Sequence, residues 1–277
     1  MFDDRDKREP GTPGAPLRLD LIQGELASAR LGGKFHYFQE IDSTNNQGRR
    51  LALQGAPEGT VVIAEQQSAG RGRLGRNWVS PPYSNLYLSI LLRPTLAPAQ
   101  APQITLMAAV ALADTVAAFV AEPPAIKWPN DILIRGKKLA GILTDSSCDS
   151  ERIEFVILGI GVNLNYPRAQ MPETIRQRAI SLIEVAGKSV VREIFLRRLI
   201  KDLDRCYGIL LETGFDAIAP LWQARFGLAG KRVRVDMGDE LLIGTAVGID
   251  CDGALLVEAD RGGRRRVIAG DVIPVED

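Results

Sequence analysis

The stretch "VVIAEQQSAGRGRLGRNWVSPPYSNLYLSILL", residues 61 to 92, limits the choice of fold more than any other part of the chain. Gly70, Gly72 and Gly75 spell the G-x-G-x-x-G spacing of a dinucleotide-binding turn directly behind an apolar strand. That turn works only if a helix begins at the third glycine with its N-terminus aimed at a pyrophosphate, and an acidic residue follows about 20 positions on for the ribose. Here Pro81 and Pro82 forbid a continuous helix, the next apolar residues run as a strand, and no Asp or Glu occurs between Glu65 and Asp114. The G-x-x-x-x-G-K-[ST] pattern of a Walker loop is also absent. A Rossmann domain is excluded, and the segment reads strand, glycine loop, strand. The loop's distinguishing residues are Arg71, Arg73 and Arg76, three forked cations with no acid beside them in the chain, suited to carboxylate or phosphate oxygens. Alone they specify an anion-binding loop; a solvated basic turn and a nucleic-acid contact are the other readings.

Net charge weakens the nucleic-acid reading, because 34 Lys and Arg balance 34 Asp and Glu. Cys148, Cys206 and Cys251 lack C-x-x-C spacing, which argues against a disulfide framework or a structural zinc and for a reducing cytoplasm. The first 16 residues, charged and rich in Pro and Gly, predict a disordered tail and not a signal peptide. No later run is long enough to span a membrane.

After the tail, "LRLDLIQGELASARLGG" predicts a short helix and "KFHYFQEID" a strand. Ser43 or Thr44 can cap a helix over about 44–54, and residues 102–121 are apolar almost all round, as in a helix buried in a core. Residues 125–165 read as strand, hairpin and strands with turns at "RGKK" and "DSSCDSE". From 173 to 213 the pattern is helical, with Ile194, Phe195, Leu199, Leu203, Tyr207 and Leu210 on an inner face and a charged, solvated outer face. From about 229 short β runs separated by tight turns predict a small antiparallel barrel. The expected organisation is a tail over 1–16, a main domain over 17–228 and a barrel over 229–277.

Three further stretches share the chemistry of the loop. "KWPND", residues 127–131, groups a cation, an aromatic and the amide and carboxylate of Asn130 and Asp131, although it is equally a β-turn with Trp128 in the core. "KKLAGIL" sets Lys138 ahead of an apolar strand, where a lysine is usually a solvated hairpin charge. "GIGVNLN" ends a buried strand with Asn163 and Asn165, which most often cap a turn.

Taken in order, "STN", "EQQSAGRGRLGRNW", "NLYLSILLRP", "KWPND", "KKLAGIL" and "GIGVNLN" resemble the catalytic domain of biotin protein ligases over about residues 36–275. The resemblance implies an α+β fold: a mixed sheet with flanking helices like a class II aminoacyl-tRNA synthetase core, then an SH3-like β-barrel. It implies a reaction in which biotin is activated by ATP to biotinyl-5'-AMP and passed to one lysine of a biotin carboxyl carrier protein. By the same resemblance Ser43, Thr44, Asn45 and Gln67 hold the biotin head group, with Gly70, Arg71, Gly72 and Arg73 closing over biotin and its activated ester. Lys138 reaches the biotin carboxylate, and Gly141 permits a close backbone approach. Arg73, Arg76, Trp78, Asn130, Asp131 and Asn163 face ATP, and Asp131 organises Mg²⁺ through oxygen ligands. Arg73, Lys138 and Asp131 form the expected catalytic set, acting by alignment and charge stabilisation. His36, the lone histidine, is expected to be structural.

Bifunctional members of the family carry an N-terminal helix-turn-helix, whereas only 42 residues precede "STN", so a ligase without specific DNA binding is expected. A homodimer stays open. Two alternatives also stand: a lipoate-protein ligase, which shares the acyl-adenylate logic, and a non-catalytic biotin-binding regulator.

Overall fold

The computed structural model describes residues 14–26, 29–238 and 240–275. Runs with almost no polar interruption form the middle of the main sheet, as strands covered on both faces require. Seven strands compose it: β1 (Lys34–Ile41), β2 (Thr60–Gln67), β3 (Leu86–Leu92), β4 (Ala125–Lys127), β5 (Asp131–Ile134), β6 (Lys137–Cys148) and β7 (Ile153–Val162). Their order is β1-β2-β3-β7-β6-β5-β4; β1 runs parallel to β2 and every other neighbour is antiparallel.

Helix α1 (Asp20–Leu26) precedes the sheet, and α2 (Thr44–Leu53) crosses from β1 to β2 with Ser43 as its N-cap residue. Helix α3 (Ala101–Ala117) has no solvated face over most of its length: Ile104 to Ala113 are buried throughout, because it lies between the sheet and a later helix. On the other face, Ala52 of α2 packs with Leu91, Phe155 and Ile157 in a smaller cluster.

The expected helical stretch over 173–213 resolves into α4 (Glu173–Arg176), α5 (Leu182–Ala186) and α6 (Arg192–Thr213), with α7 (Ala219–Gln223) after it. Two details of α6 correct the sequence reading. Ile194 is exposed, and Arg192, Glu193 and Asp202, assigned to the solvated face, are buried. The burial of Arg192 is compensated by partners far away in the chain. Arg192 donates to Glu65 Oε2 at 2.7 Å and to the carbonyls of Asn85 and Ala15 at 3.0 and 2.6 Å. Glu65 also accepts from the Leu17 N–H at 2.7 Å and the Tyr37 hydroxyl at 2.9 Å.

This network also bears on the end of the expected tail over 1–16. Residues 1–13 lie outside the described residues, but Ala15 and Leu17 are buried and strapped to β2 and α6. A second correction concerns "DSSCDSE": β6 continues to Cys148 and only then turns, because Ser146 and Ser147 still pair with Val156 and Phe155 of β7.

The second sheet begins at Arg232 and contains β8 (Arg232–Asp236), β9 (Leu241–Ile249), β10 (Leu255–Ala259), β11 (Gly263–Val267) and β12 (Asp271–Pro274), antiparallel in the order β11-β10-β9-β8-β12. Alternation turns Val233, Val235, Leu242, Ala246 and Val257 inward. The Trp128 indole N–H donates to the Gly253 carbonyl at 3.0 Å, tying this domain to the "KWPND" turn. Among the described residues no helix is long and apolar enough to cross a membrane.

Removing the cation from the buried pair leaves a carboxylate without its countercharge. Arg192→Leu is expected to lower stability by about 3–5 kcal/mol in chemical denaturation, and Glu65→Leu with Arg192→Leu to cost less than that single change.

Candidate active site

The floor of the site follows from strand register. Gly161 of β7 pairs with Gly141 of β6 on one side and Tyr87 of β3 on the other, and Gly141 pairs in turn with Asp131. Gly159, two residues before Gly161, points to the same face. Three positions on the open face of the sheet thus lack side chains, and other residues use the space. A Cβ at Gly159 would clash with the Asn45 carboxamide oxygen. One at Gly161 would lie 2.5 Å from Trp78 Cε2, and one at Gly141 3.1 Å from both Trp78 Cζ3 and Lys138 Nζ.

At one end of this floor, α2 starts against the strands. Gln67 Oε1 accepts from the Thr44 N–H at 2.8 Å and its hydroxyl at 3.1 Å, while Gln67 Nε2 donates to Ser80 Oγ at 3.1 Å. Ser89, buried on β3, has its hydroxyl 2.8 Å from Thr44 Oγ1 and 2.6 Å from Asn45 Oδ1. Asn45 Nδ2 donates to the Leu143 carbonyl at 3.2 Å and to Asp145 Oδ2 at 3.0 Å. The Asn45 amide is therefore committed to the protein on both sides, a wedge between α2 and β7. Ser43 and Thr44 are buried beside it.

The arginine loop lies across the floor, with Arg73–Gly75 forming one 3-10 turn in which Leu74 adopts φ 55° and stays exposed. Gly70 packs too closely to carry a side chain, since a Cβ there would meet the Trp78 carbonyl at 2.6 Å. The sequence offered no acid for these arginines; the fold supplies them from elsewhere. Arg71 is ion-paired with Asp145 and donates to Asn46 Oδ1 at 3.1 Å. Arg76 is ion-paired with Asp271 of β12, and Arg73 donates to Asn130 Oδ1 at 3.1 Å and the Gly270 carbonyl at 3.4 Å. Burial pulls the Arg73 guanidinium and the Lys127 ammonium below their ordinary values. Burial raises the Asp271 carboxyl, but the Arg76 hydrogen bond and the Lys127, Arg76 and Arg73 charges outweigh it and hold it below the usual range.

Lys138 Nζ lies 2.6 Å from Asp131 Oδ1 and 5.4 Å from the centre of the Trp78 ring. Trp78 Nε1 is buried without a hydrogen-bond partner. Asn130 Nδ2 donates to the Ile142 carbonyl at 2.8 Å, fixing its oxygen toward Arg73. Asn163 sits at the end of β7 and donates to the Ile180 carbonyl at 3.2 Å, so its side chain pins the segment before α5. His36 lies on β1, its Nε2 buried and unpartnered, and burial lowers its affinity for a proton. Among the described residues no three His, Cys, Asp or Glu side chains cluster as a metal site.

The site thus concentrates Arg71, Arg73, Arg76, Lys127 and Lys138 around a side-chain-free floor, each beside a polar partner that an anion could replace. Sequence reasoning named Arg71, Arg73, Arg76 and Lys138 for the site but not Lys127, and it missed Ser89, Asp145 and Asp271, which carry no local motif. The alternation Gly159-x-Gly161 was a usable signal, since glycines two apart in a strand open one face of a sheet.

Comparison with known proteins matches residues 37–163 to the biotin/lipoate A/B protein ligase family and residues 229–273 to the biotin protein ligase C terminal domain. The chain is 36% identical to the biotin–[acetyl-CoA-carboxylase] ligase of Mycobacterium tuberculosis over 98% of both chains. It is 35% identical to the bifunctional ligase/repressor BirA of Bacillus subtilis, over 91% of this chain and 77% of that one. The biotin protein ligase of Aquifex aeolicus, solved with biotin and ATP, superposes with a TM-score of 0.75 at 27% identity over 88% of this chain and 99% of the other.

Filling the floor tests its construction. Gly159→Ala is expected to displace Asn45, costing about 1–3 kcal/mol in thermal or denaturant unfolding as an overpacked core position does, and to weaken biotin binding in calorimetry.

Proposed function

Because the chain belongs to the biotin protein ligase family, we propose a division of labour among its residues for that family's two-step reaction. The enzyme activates biotin with ATP, the biotin carboxylate oxygen bonding to the α-phosphorus as pyrophosphate leaves. It then transfers the biotinyl group to a lysine amine of a biotin carboxyl carrier protein, and AMP leaves. The observation that carries the assignment is the gathering of five cations over the glycine floor, because both reactants of the first step are anions that repel one another.

Lys138 exchanges Asp131 for the biotin carboxylate and holds it for in-line attack. Arg71 and Arg73 hold the carboxylate end and then the acyl-adenylate, while Arg76 takes the nucleotide phosphates. Ser43, Thr44 and Gln67 offer the hydroxyl and amide groups that match the two N–H donors and one carbonyl of the ureido ring. Asn45 acts one step back, holding α2 against β7. Trp78, with an indole N–H to spare and its face beside the site, packs against the nucleotide. Asn130 orients Arg73, and Asn163 shapes the rim near the triphosphate through Ile180.

Mg²⁺ accompanies ATP in this reading. A small hard cation that keeps waters and takes phosphate oxygens needs only one or two protein carboxylates, and Asp131, beside Lys138 and Lys127, fits as that ligand. Bound there, the ion would offset charge on the phosphates. The second domain has a role in this account: Asp271 and the Gly270 carbonyl latch Arg76 and Arg73, so the small sheet closes one side of the nucleotide site. Cys148, Cys206 and Cys251 are free thiols, which supports a reducing cytoplasm as the place of work.

Pyrophosphate exchange into ATP is expected with biotin and absent with lipoate; exchange with lipoate alone would sink the biotin assignment. Lys138→Ala is expected to slow adenylation by about 10²–10³-fold with the fold intact by circular dichroism, as loss of a charge-stabilising donor does. Arg73→Gly is expected to release biotinyl-adenylate and label bystander lysines in a mixed-protein assay. Asp271→Ala is expected to raise KM for ATP by about three- to tenfold with KM for biotin unchanged, the range for loss of one charge-assisted contact near the surface.

A further inference from the structure

Asp145 stands at a junction that the reaction scheme leaves unused. It lies on β6, on the same face as Gly141, and its Oδ2 is shared by two donors from different elements. Asn45 Nδ2 reaches it from α2 at 3.0 Å, and Arg71 reaches it from the arginine loop. The second Arg71 nitrogen lies 3.1 Å from Asn46 Oδ1, the residue after Asn45. Asn45 in turn touches Ser89 at 2.6 Å and fills the space that Gly159 leaves. One carboxylate therefore joins the start of α2, where the biotin head group is read, to the start of the loop, where the activated ester is held.

We propose that Asp145 is a positioning residue that couples closure of the arginine loop to the biotin-reading end of α2, acting through Arg71 and Asn45. The chemistry fits that task. Arg71 is partly exposed, and an unpaired guanidinium there would spread over several rotamers. A carboxylate shared with Asn45 fixes it in one. Asp145 keeps partial access to solvent, so its pairing is adjustable and can yield when an anionic ligand draws on Arg71. The pin on the opposite end of the loop, Asp271, comes from another domain, so the two ends are held independently.

The inference rests on reading the loop as the clamp on biotin and its adenylate, and a double-mutant cycle separates the two. Arg71→Ala, Asp145→Ala, Asp145→Asn and the double change Arg71→Ala with Asp145→Ala are compared in steady-state pyrophosphate exchange and in retention of biotinyl-adenylate by gel filtration. Asp145→Ala is expected to raise KM for biotin about three- to tenfold and to shorten adenylate retention similarly, leaving kcat for exchange and KM for ATP within twofold. Asp145→Asn, which keeps an acceptor for both partners, is expected to recover part of the loss. The double variant is expected to be no worse than Arg71→Ala. If Arg71→Ala itself leaves biotin KM and retention unchanged, the clamp reading fails and this proposal with it. If Arg71→Ala is impaired but Asp145→Ala matches wild type, or the two effects multiply in the double variant, the coupling is overturned and the clamp reading survives.

Discussion

The structure depends on a stretch of sheet that has no side chains. Gly141, Gly159 and Gly161 fall together because β6 and β7 pair in one register, and a shift of one residue would turn all three into the helical core. Their absence of Cβ atoms lets Asn45 and Trp78 approach the strand backbone. The opposite face of the same strands is filled by Ile142, Leu158 and Ile160 packing in the core that contains α3 and α6. A rigid, fully packed layer thus supports an open one, which suits a site that must hold two substrates in line.

Onto that floor the fold brings charge from distant parts of the chain. The arginine loop follows β2, Lys127 and Lys138 lie on either side of β5 in the chain, and the partners Asp145 and Asp271 belong to β6 and β12. Ion pairs offset four of these cations without a ligand, and Arg73 is held by the neutral oxygens of Asn130 and Gly270. An anion entering beside Arg71, Arg76, Lys127 or Lys138 therefore competes with an existing carboxylate partner. The net driving force is then a difference between two sets of charge-assisted bonds, which favours ligands that satisfy several cations together.

Beneath the site, the Glu65–Arg192 pair anchors the chain at Ala15 and Leu17 to β2 and α6. Glu65 lies two residues before Gln67, so the same strand that ends in a site residue is held in the core by an ion pair. Breaking the pair would loosen the end of β2 as well as the N-terminal segment, because both share its hydrogen bonds.

Much of this was legible in the chain. The prolines after the glycine loop ruled out a Rossmann turn, a capping residue placed α2, an unbroken apolar run placed α3, β-rich runs between turns placed most strands, and the ordered motifs named the family. Lys138, Asp131 and the loop arginines were readable because their chemistry is encoded within a few residues of a recognisable pattern. Tertiary structure decided what those charges meet. Asp145, Asp271 and Ser89 have no local signature, since their contacts join positions up to 195 residues apart, and sequence spacing says nothing about such pairs. The burial of Arg192 and Glu193 was missed for a related reason: helical periodicity assigns charges to the outer face, and only a partner across the core can reverse that. The sequence alone determined which groups were available and which strands could form. Only the folded chain determined which groups share an oxygen, because hydrogen bonds and ion pairs depend on distances that closing the sheet and docking the second domain create.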